Sequence, residues 1–139
     1  MLLELESLNN AVDALRRSIN AAEENMAVLN GDLRDAVKAG VVQHFEVAYE
    51  LSWKFIQRWL RENRSAEEAD FPRTRKELFR MAAREGLISD PLPWFEFSAA
   101  RNLTSHTYNR ERAESTYEAA RLFLAYAEEL RARLETMND

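Results

Sequence analysis

The sequence predicts an all-α fold, an up-and-down bundle of about five helices that forms a single domain over residues 1–139. Apolar residues recur at steps of three and four along most of the chain, which is the spacing of one face of a helix. The chain has only three glycines and three prolines, so little material is left for turn-rich β architecture. Hydrophobic residues make up 46% and charged residues 31%, a balance that allows a core and argues against disorder.

The first two predicted helices fill the N-terminal half of the chain. The first runs over residues 8–29, where apolar residues alternate at four and three, and Gly31 is expected to stop it. The second runs over residues 33–62, with Asp32 as its expected N-cap. Two apolar stripes mark the second helix, so we expect it to be central and packed on both sides.

A third stripe on the second helix is polar. Glu46, Glu50 and Lys54 follow one another at steps of four and therefore share a face. Two interpretations stay open, a solvated or salt-bridged surface and a polar seam that faces a dimer mate or a cleft.

The C-terminal half holds the remaining helices. A polar segment over residues 61–74 predicts a loop, and a helix over 73–85 follows, closed by Gly86. Asp90 is the expected cap of a fourth helix, which has a proline in its first turn. The last helix is expected over residues 110–137.

Composition excludes several classes of function. The absence of cysteine excludes disulfides, thiolate zinc sites and cysteine nucleophiles, and it fits a cytoplasmic protein. We expect no signal peptide and no membrane span, because no window approaches the ~18 unbroken apolar residues that a span needs. The net charge of −5 argues against gripping a polyanion over the whole surface, so any nucleic-acid contact must be local and use clustered arginines.

The segment RNLTSHTYN, which begins at Arg101, concentrates hydrogen-bonding side chains. On a straight helix the side chains of Arg101 and His106 would lie roughly 140° apart, and those of His106 and Tyr108 would point in nearly opposite directions. One continuous helix therefore cannot bring all three onto one surface. We expect the helix to end near residues 104–106, with Tyr108 on the turn and Asn109 capping the next helix.

This placement has chemical consequences. A histidine in the last turn of a helix lies at the negative end of the dipole, so His106 could titrate near neutrality as a general acid or base. Arg101 could bind a phosphate through two N–H groups, and Asn102 could fix an imidazole nitrogen or an oxyanion. Spacing alone favours a simpler interpretation, in which the histidine and arginine cap a helix end or form a buried polar pin.

Metal and cofactor chemistry receive no support from the sequence. His44 is the only other histidine, and no adjacent carboxylate pair supplies the ligand spacing of a metal site. We therefore predict neither a metal nor a cofactor. A serine triad has no support either, and Thr104 and Ser105 are expected to bond to helix carbonyls.

Several blocks of the chain resemble one protein family. RNLTSHTY matches the R-x4-H-x-Y pattern of the HEPN superfamily, in its HepT-like branch of nucleotidyltransferase substrate-binding proteins. VVQHFEVAYELSWKFIQRWL resembles a characteristic helix of that branch, and REGLISD with the tryptophan that follows is also similar to it. Together these blocks span roughly residues 40–117. At position 44 the chain has histidine where the family pattern has arginine.

The resemblance implies a HEPN-like helical bundle that dimerises with its motifs near the two-fold axis, and that binds a minimal nucleotidyltransferase encoded nearby. It implies His106 as general acid/base, Arg101 as phosphate stabiliser and Asn102 as a supporting contact. Tyr108 would contact substrate and accept AMP from the partner enzyme, which then acts as antitoxin.

Three hypotheses follow for function. The first is a toxin-like, metal-independent endoribonuclease that cleaves RNA at the dimer interface. The second is a non-catalytic subunit that binds a nucleotide or substrate and presents it to the nucleotidyltransferase. The third is a dimeric bundle whose motif only locks a helix corner.

Overall fold

The structure, a computed structural model, describes residues 3–64, 74–104 and 110–137. These ranges form an up-and-down bundle of five helices, as the sequence predicts. The helices, in chain order, are α1 (Glu6–Asn25), α2 (Gly31–Asn63), α3 (Arg75–Arg84), α4 (Pro91–Leu103) and α5 (Arg110–Thr136). No helix in these ranges is long and apolar enough to cross a membrane.

Helix α2 is the central element, as its two apolar stripes predict. It packs against each of the other four helices. Its buried side chains belong to both stripes, among them Phe45 and Phe55 from one and Tyr49 and Ile56 from the other. A helix that buries two faces is held in place on both sides. Side chains that project from α2 are therefore fixed relative to the whole bundle.

The start of α2 differs from the prediction. Asn30, not Asp32, is the N-cap, and its side-chain oxygen accepts a hydrogen bond of 3.0 Å from the backbone N–H of Leu33. Gly31 is the first residue of α2 and does not stop α1, which ends at Asn25. The predicted extension of α1 to residue 29 fails because that segment leaves the core, as the 82% exposure of Val28 indicates.

The turn from α3 to α4 confirms the predicted stop at Gly86. Gly86 has φ of 87°, and its N–H donates to the Ala83 carbonyl while the N–H of Leu87 donates to that of Ala82. This pair of bonds is a Schellman motif, in which glycine takes the left-handed conformation at low cost. Asp90 then caps α4 as predicted, by accepting from the N–H of Leu92 at 3.0 Å.

An aromatic cluster fixes α4 against the bundle. The ring centroid of Phe123 on α5 lies 5.3 Å from that of Phe45 on α2. It lies 5.3 and 5.1 Å from the ring centroids of Trp94 and Phe97 on α4. These contacts are edge-on, the geometry that aromatic pairs favour. The C-terminal turn of α4, which begins the RNLTSHTYN segment, is therefore carried by a rigid helix.

Candidate active site at the end of α4

The structure describes part of the predicted site. Arg101 and Asn102 lie in the last turn of α4, which ends at Leu103 with Thr104 as C-cap. This confirms the expected end of the helix. His106, Tyr108 and the predicted cap Asn109 fall in 105–109, outside the described residues.

Arg101 is held by two neighbours. Its Nη1 donates a hydrogen bond of 3.1 Å to Thr104 Oγ1, and Thr104 Oγ1 donates one of 2.7 Å to the carbonyl of Arg101. Its Nε lies 3.5 Å from Glu50 Oε1 on α2. Nε is enclosed and has no hydrogen-bond acceptor among the described residues, so its contact with Glu50 is charge attraction without a hydrogen bond. The guanidinium is thus oriented, and the Arg101 side chain is 29% exposed.

Thr104 behaves as the sequence predicts. Its hydroxyl bonds back to a carbonyl one turn earlier, which is common at helix ends. It also accepts from the Arg101 guanidinium, so it positions that group. The same prediction for Ser105 lies outside the described residues.

A groove of about 410 Å³ lies beside Arg101, between α2, α3 and α4. Its volume falls within the roughly 300–1,000 Å³ of typical small-ligand pockets. Three of its lining residues are cationic and one is a carboxylate. The lining residues are Tyr49, Glu50, Arg75, Lys76, Phe95, Ser98, Ala99, Arg101 and Asn102. The groove is therefore locally basic, although the chain carries a net charge of −5.

A series of contacts connects the two guanidinium groups of the groove. The carbon Cζ of Arg75 lies 3.2 Å from the centroid of the Trp53 ring. At that distance the guanidinium must lie flat on the indole, because an edge-on approach would clash. The Trp53 Nε1–H donates to Glu50 Oε2 at 3.1 Å, and Glu50 Oε1 faces Arg101. Glu50 thus contacts both Arg101 and Trp53, the residue whose ring packs against Arg75.

The floor of the groove carries a pair of hydroxyl groups. Tyr49 is 2% exposed, and its phenol is hydrogen-bonded to Ser98 Oγ on α4. Burial raises the pKa of Tyr49 above its ordinary value, and the charge of Glu50 adds to this. The hydrogen bond with Ser98 and the charge and hydrogen bond of Arg75 act in the opposite direction. At neutral pH the phenol keeps its proton.

The polar stripe on α2 is partly a groove wall. Glu50 lines the groove and pairs with Arg101, which fits the predicted seam facing a cleft. Lys54 is exposed, with its Nζ 5.6 Å from the Trp53 ring. His44 is exposed on α2 and does not line the groove. Over the described ranges, no group of three or more His, Asp or Glu side chains is placed to hold a metal ion.

The contribution of α3 was not predicted from the sequence. Arg75 and Lys76 stand in the first turn of α3, where the helix dipole is positive and cations are unfavourable. That conflict is a signal in the sequence, because residues that oppose local stability are often kept for function. In the sequence, Tyr49 belongs to one of the two apolar stripes of α2, which indicates no more than a core position. Its place beside Ser98 depends on how α2 and α4 meet.

Fold and groove together define a helical protein with a basic polar cleft. The chain belongs to the nucleotidyltransferase substrate binding protein like family, whose model matches residues 3–136. Among its relatives is the probable ribonuclease HepT of Haemophilus influenzae, 35% identical over 106 residues that cover 76% of this chain and 73% of the relative.

Two solved structures are similar in fold. The first is a Haemophilus influenzae protein whose structure is described as revealing the fold of a substrate binding domain of a nucleotidyltransferase. It matches with a TM-score of 0.86 and 30% identity, over 95% of this chain and 99% of the other. The second, a protein from Thermus thermophilus, matches with a TM-score of 0.60 and 26% identity, over 86% and 98% of the two chains.

Proposed function

We propose that this protein is the partner subunit of a minimal nucleotidyltransferase and a cytoplasmic, HEPN-type endoribonuclease that needs no metal. The observation that carries the proposal is the oriented Arg101 guanidinium at the edge of a basic groove on an otherwise acidic chain. The family and the relative named as a ribonuclease point in the same direction.

The chemistry requires few groups. RNA supplies its own nucleophile, the 2′-hydroxyl, and a His106 imidazole takes its proton as the oxygen attacks the adjacent phosphorus. The bond from phosphorus to the 5′-oxygen breaks, and a second imidazole returns a proton to that leaving oxygen. The products are a 2′,3′-cyclic phosphate and a free 5′-hydroxyl.

Arg101 stabilises the charge that builds on the phosphate oxygens during this step. Thr104 and Glu50 hold its Nη1 and Nε edges, so the outward part of the guanidinium is oriented before substrate arrives. Asn102, which is exposed in the same turn and lines the groove, is a further substrate contact.

A homodimer completes this site. Two copies with their motifs adjacent supply one His106 as base and the other as acid. They also supply two Arg101 side chains. This doubling concentrates positive charge that a single chain of net charge −5 lacks.

Tyr108 has two roles in the proposal, substrate contact and AMP acceptor. In the second role its phenol oxygen attacks the α-phosphorus of ATP on the partner enzyme, loses its proton, and displaces pyrophosphate. The AMP would then block the site, which makes the nucleotidyltransferase an antitoxin. Co-expression with the neighbouring nucleotidyltransferase should add AMP units to the mass of the wild type and none to Tyr108→Phe.

The decisive experiment is RNA cleavage in EDTA. Purified wild type, His106→Ala and Arg101→Ala are incubated with single-stranded RNA and tRNA. We expect cleavage by wild type and losses of about 100-fold or more in each variant. His44→Ala is the matched control, because His44 is the other histidine and lies outside the groove, and it should stay within about twofold of wild type. Equal cutting by wild type and His106→Ala, or no cutting by either, would refute the ribonuclease.

The second candidate is a non-catalytic subunit that presents a substrate to the nucleotidyltransferase. It is favoured by the family description and by the relative described as a substrate binding domain. It predicts that Arg101→Ala and Asn102→Ala lose nucleotide or partner binding while no variant cuts RNA. A pull-down with the neighbouring nucleotidyltransferase, with and without ATP and Mg²⁺, separates the two candidates.

A further inference from the structure

We propose that the groove beside Arg101 binds the RNA strand next to the scissile phosphate, with Arg75 as a second phosphate and base contact and Lys76 as its support. The groove proposal rests on the ribonuclease function proposed above, because that function identifies the phosphate bound by Arg101 as the scissile one. The occupant is a single-stranded RNA segment.

The first argument is charge. Arg75, Lys76 and Arg101 face one carboxylate, Glu50, around the groove, so the lining carries an excess of two positive charges. The two cations of α3 stand in its first turn, where the helix dipole repels them, while Glu77 in the same turn carries the charge that the dipole favours. A bound phosphate would relieve that repulsion. RNA presents phosphates at regular intervals, so one strand can contact Arg101 with one phosphate and Arg75 with another.

The second argument is the orientation of Arg75. Its guanidinium lies flat on Trp53, at 3.2 Å from the ring centroid, and the residue is exposed. A guanidinium held in this way offers its outer plane for stacking and its edge for a phosphate. Unpaired RNA bases stack on such planes, whereas a base inside a duplex is not available for this contact.

The third argument is that Arg75 and Arg101 are both anchored to α2. Trp53 donates to Glu50, and Glu50 attracts Arg101, so the two guanidiniums are anchored to the same segment of the central helix α2. Their separation is thus fixed by packed elements. At the floor, the hydroxyls of Tyr49 and Ser98 provide polar groups for a ribose or a base edge.

The test uses full-length protein and a fluorescent single-stranded RNA with 2′-O-methyl groups, which cannot supply the nucleophile. Binding is followed by fluorescence anisotropy over a range of salt concentrations. We expect Arg75→Ala and Lys76→Ala each to weaken binding about fivefold, and each to reduce the slope of log affinity against log salt by about 0.7. Arg75→Lys should keep the slope and still lose affinity, because it retains the charge without the stacking plane.

Arg84→Ala is the matched control, since it removes the same charge from the exposed last turn of the same helix. It should bind within about twofold of wild type. Equal effects of Arg75→Ala and Arg84→Ala would overturn the proposal. So would RNA binding that survives in Arg75→Ala while binding of ATP is lost, because the occupant would then be a mononucleotide.

Parallel cleavage assays keep the two proposals separate. Strand binding that depends on Arg75, in a protein that cuts no RNA, would support the binding site and refute the ribonuclease. Cleavage that proceeds in Arg75→Ala with an unchanged KM would support the ribonuclease and refute the binding site.

Discussion

Arg101 Nε lies 3.5 Å from Glu50 Oε1, so a guanidinium at the end of α4 is paired with a carboxylate in the middle of α2. The two side chains are 29% and 34% exposed, so solvent weakens the pair. Its main effect is orientation. Together with the bond to Thr104 it leaves the guanidinium little freedom to turn.

This arrangement predicts that Arg101→Lys is not a conservative change. A lysine has one nitrogen, so it cannot contact Thr104 and Glu50 and also present two N–H groups to a phosphate. We expect kcat for RNA cleavage to fall about 30-fold. The melting temperature should change little, because the Arg101 side chain is 29% exposed and solvent already weakens its pair with Glu50. A lysine variant with full kcat would show that only the charge matters.

Glu50→Gln should have a different effect. The amide keeps the size of the side chain and an oxygen for the Trp53 N–H, and it removes the only negative charge among the described residues that line the groove. We expect KM for RNA to fall about threefold, with a steeper dependence on salt. Glu46→Gln, one turn earlier on α2 and outside the groove lining, is the control and should leave KM unchanged. A rise in KM would show that orientation of Arg101 outweighs charge.

The sequence predicts the helices of this fold better than it predicts their contacts. Periodicity locates α2, α4 and α5 closely, because one buried face imposes a regular spacing on residues near in sequence. The cap of α2 was assigned to Asp32 because Gly31 was expected to stop α1. In the structure α1 ends earlier, at Asn25, and Asn30, an equally good capping residue, starts α2. Glu50 and Arg101 are far apart in sequence, so no local pattern indicates how close they lie in space. The groove could not be predicted, because it depends on that closeness.

Tyr49→Phe tests the hydroxyl pair under the groove. Removing the phenol oxygen deprives Ser98 Oγ of its partner in a partly buried position, so the free energy of unfolding should fall by about 1 kcal/mol. Urea denaturation at pH 7 measures this change. Tyr126→Phe is the matched control, because its ring packs on Phe97 while no hydrogen bond of its hydroxyl occurs among the described residues. It should change stability by less than about 0.5 kcal/mol.

The raised pKa of Tyr49 also predicts an alkaline dependence of stability. Burial favours the neutral phenol in the folded state, so the unfolded chain loses this proton at lower pH than the folded one. The resulting stabilisation is full below the ordinary tyrosine pKa of about 10 and is lost as pH rises through the folded value. Between about pH 9 and 11, wild type should therefore lose more stability than Tyr49→Phe. Parallel losses would mean that the hydroxyl titrates as freely in the fold as in the unfolded chain.

Two glycine-to-alanine substitutions are expected to change the free energy of unfolding in opposite directions. Gly86 has φ of 87° in the turn after α3, so alanine there should cost about 1–2 kcal/mol of unfolding free energy. Gly40 lies inside α2, and a Cβ built there meets nothing within 4 Å, so alanine should add about 0.5–1 kcal/mol. Both changes are measured by urea denaturation. RNA cleavage should be unaffected by Gly40→Ala, because Gly40 is exposed and lies outside the groove. Equal effects at the two positions would contradict the left-handed turn that sets the start of α4, and with it the position of Arg101.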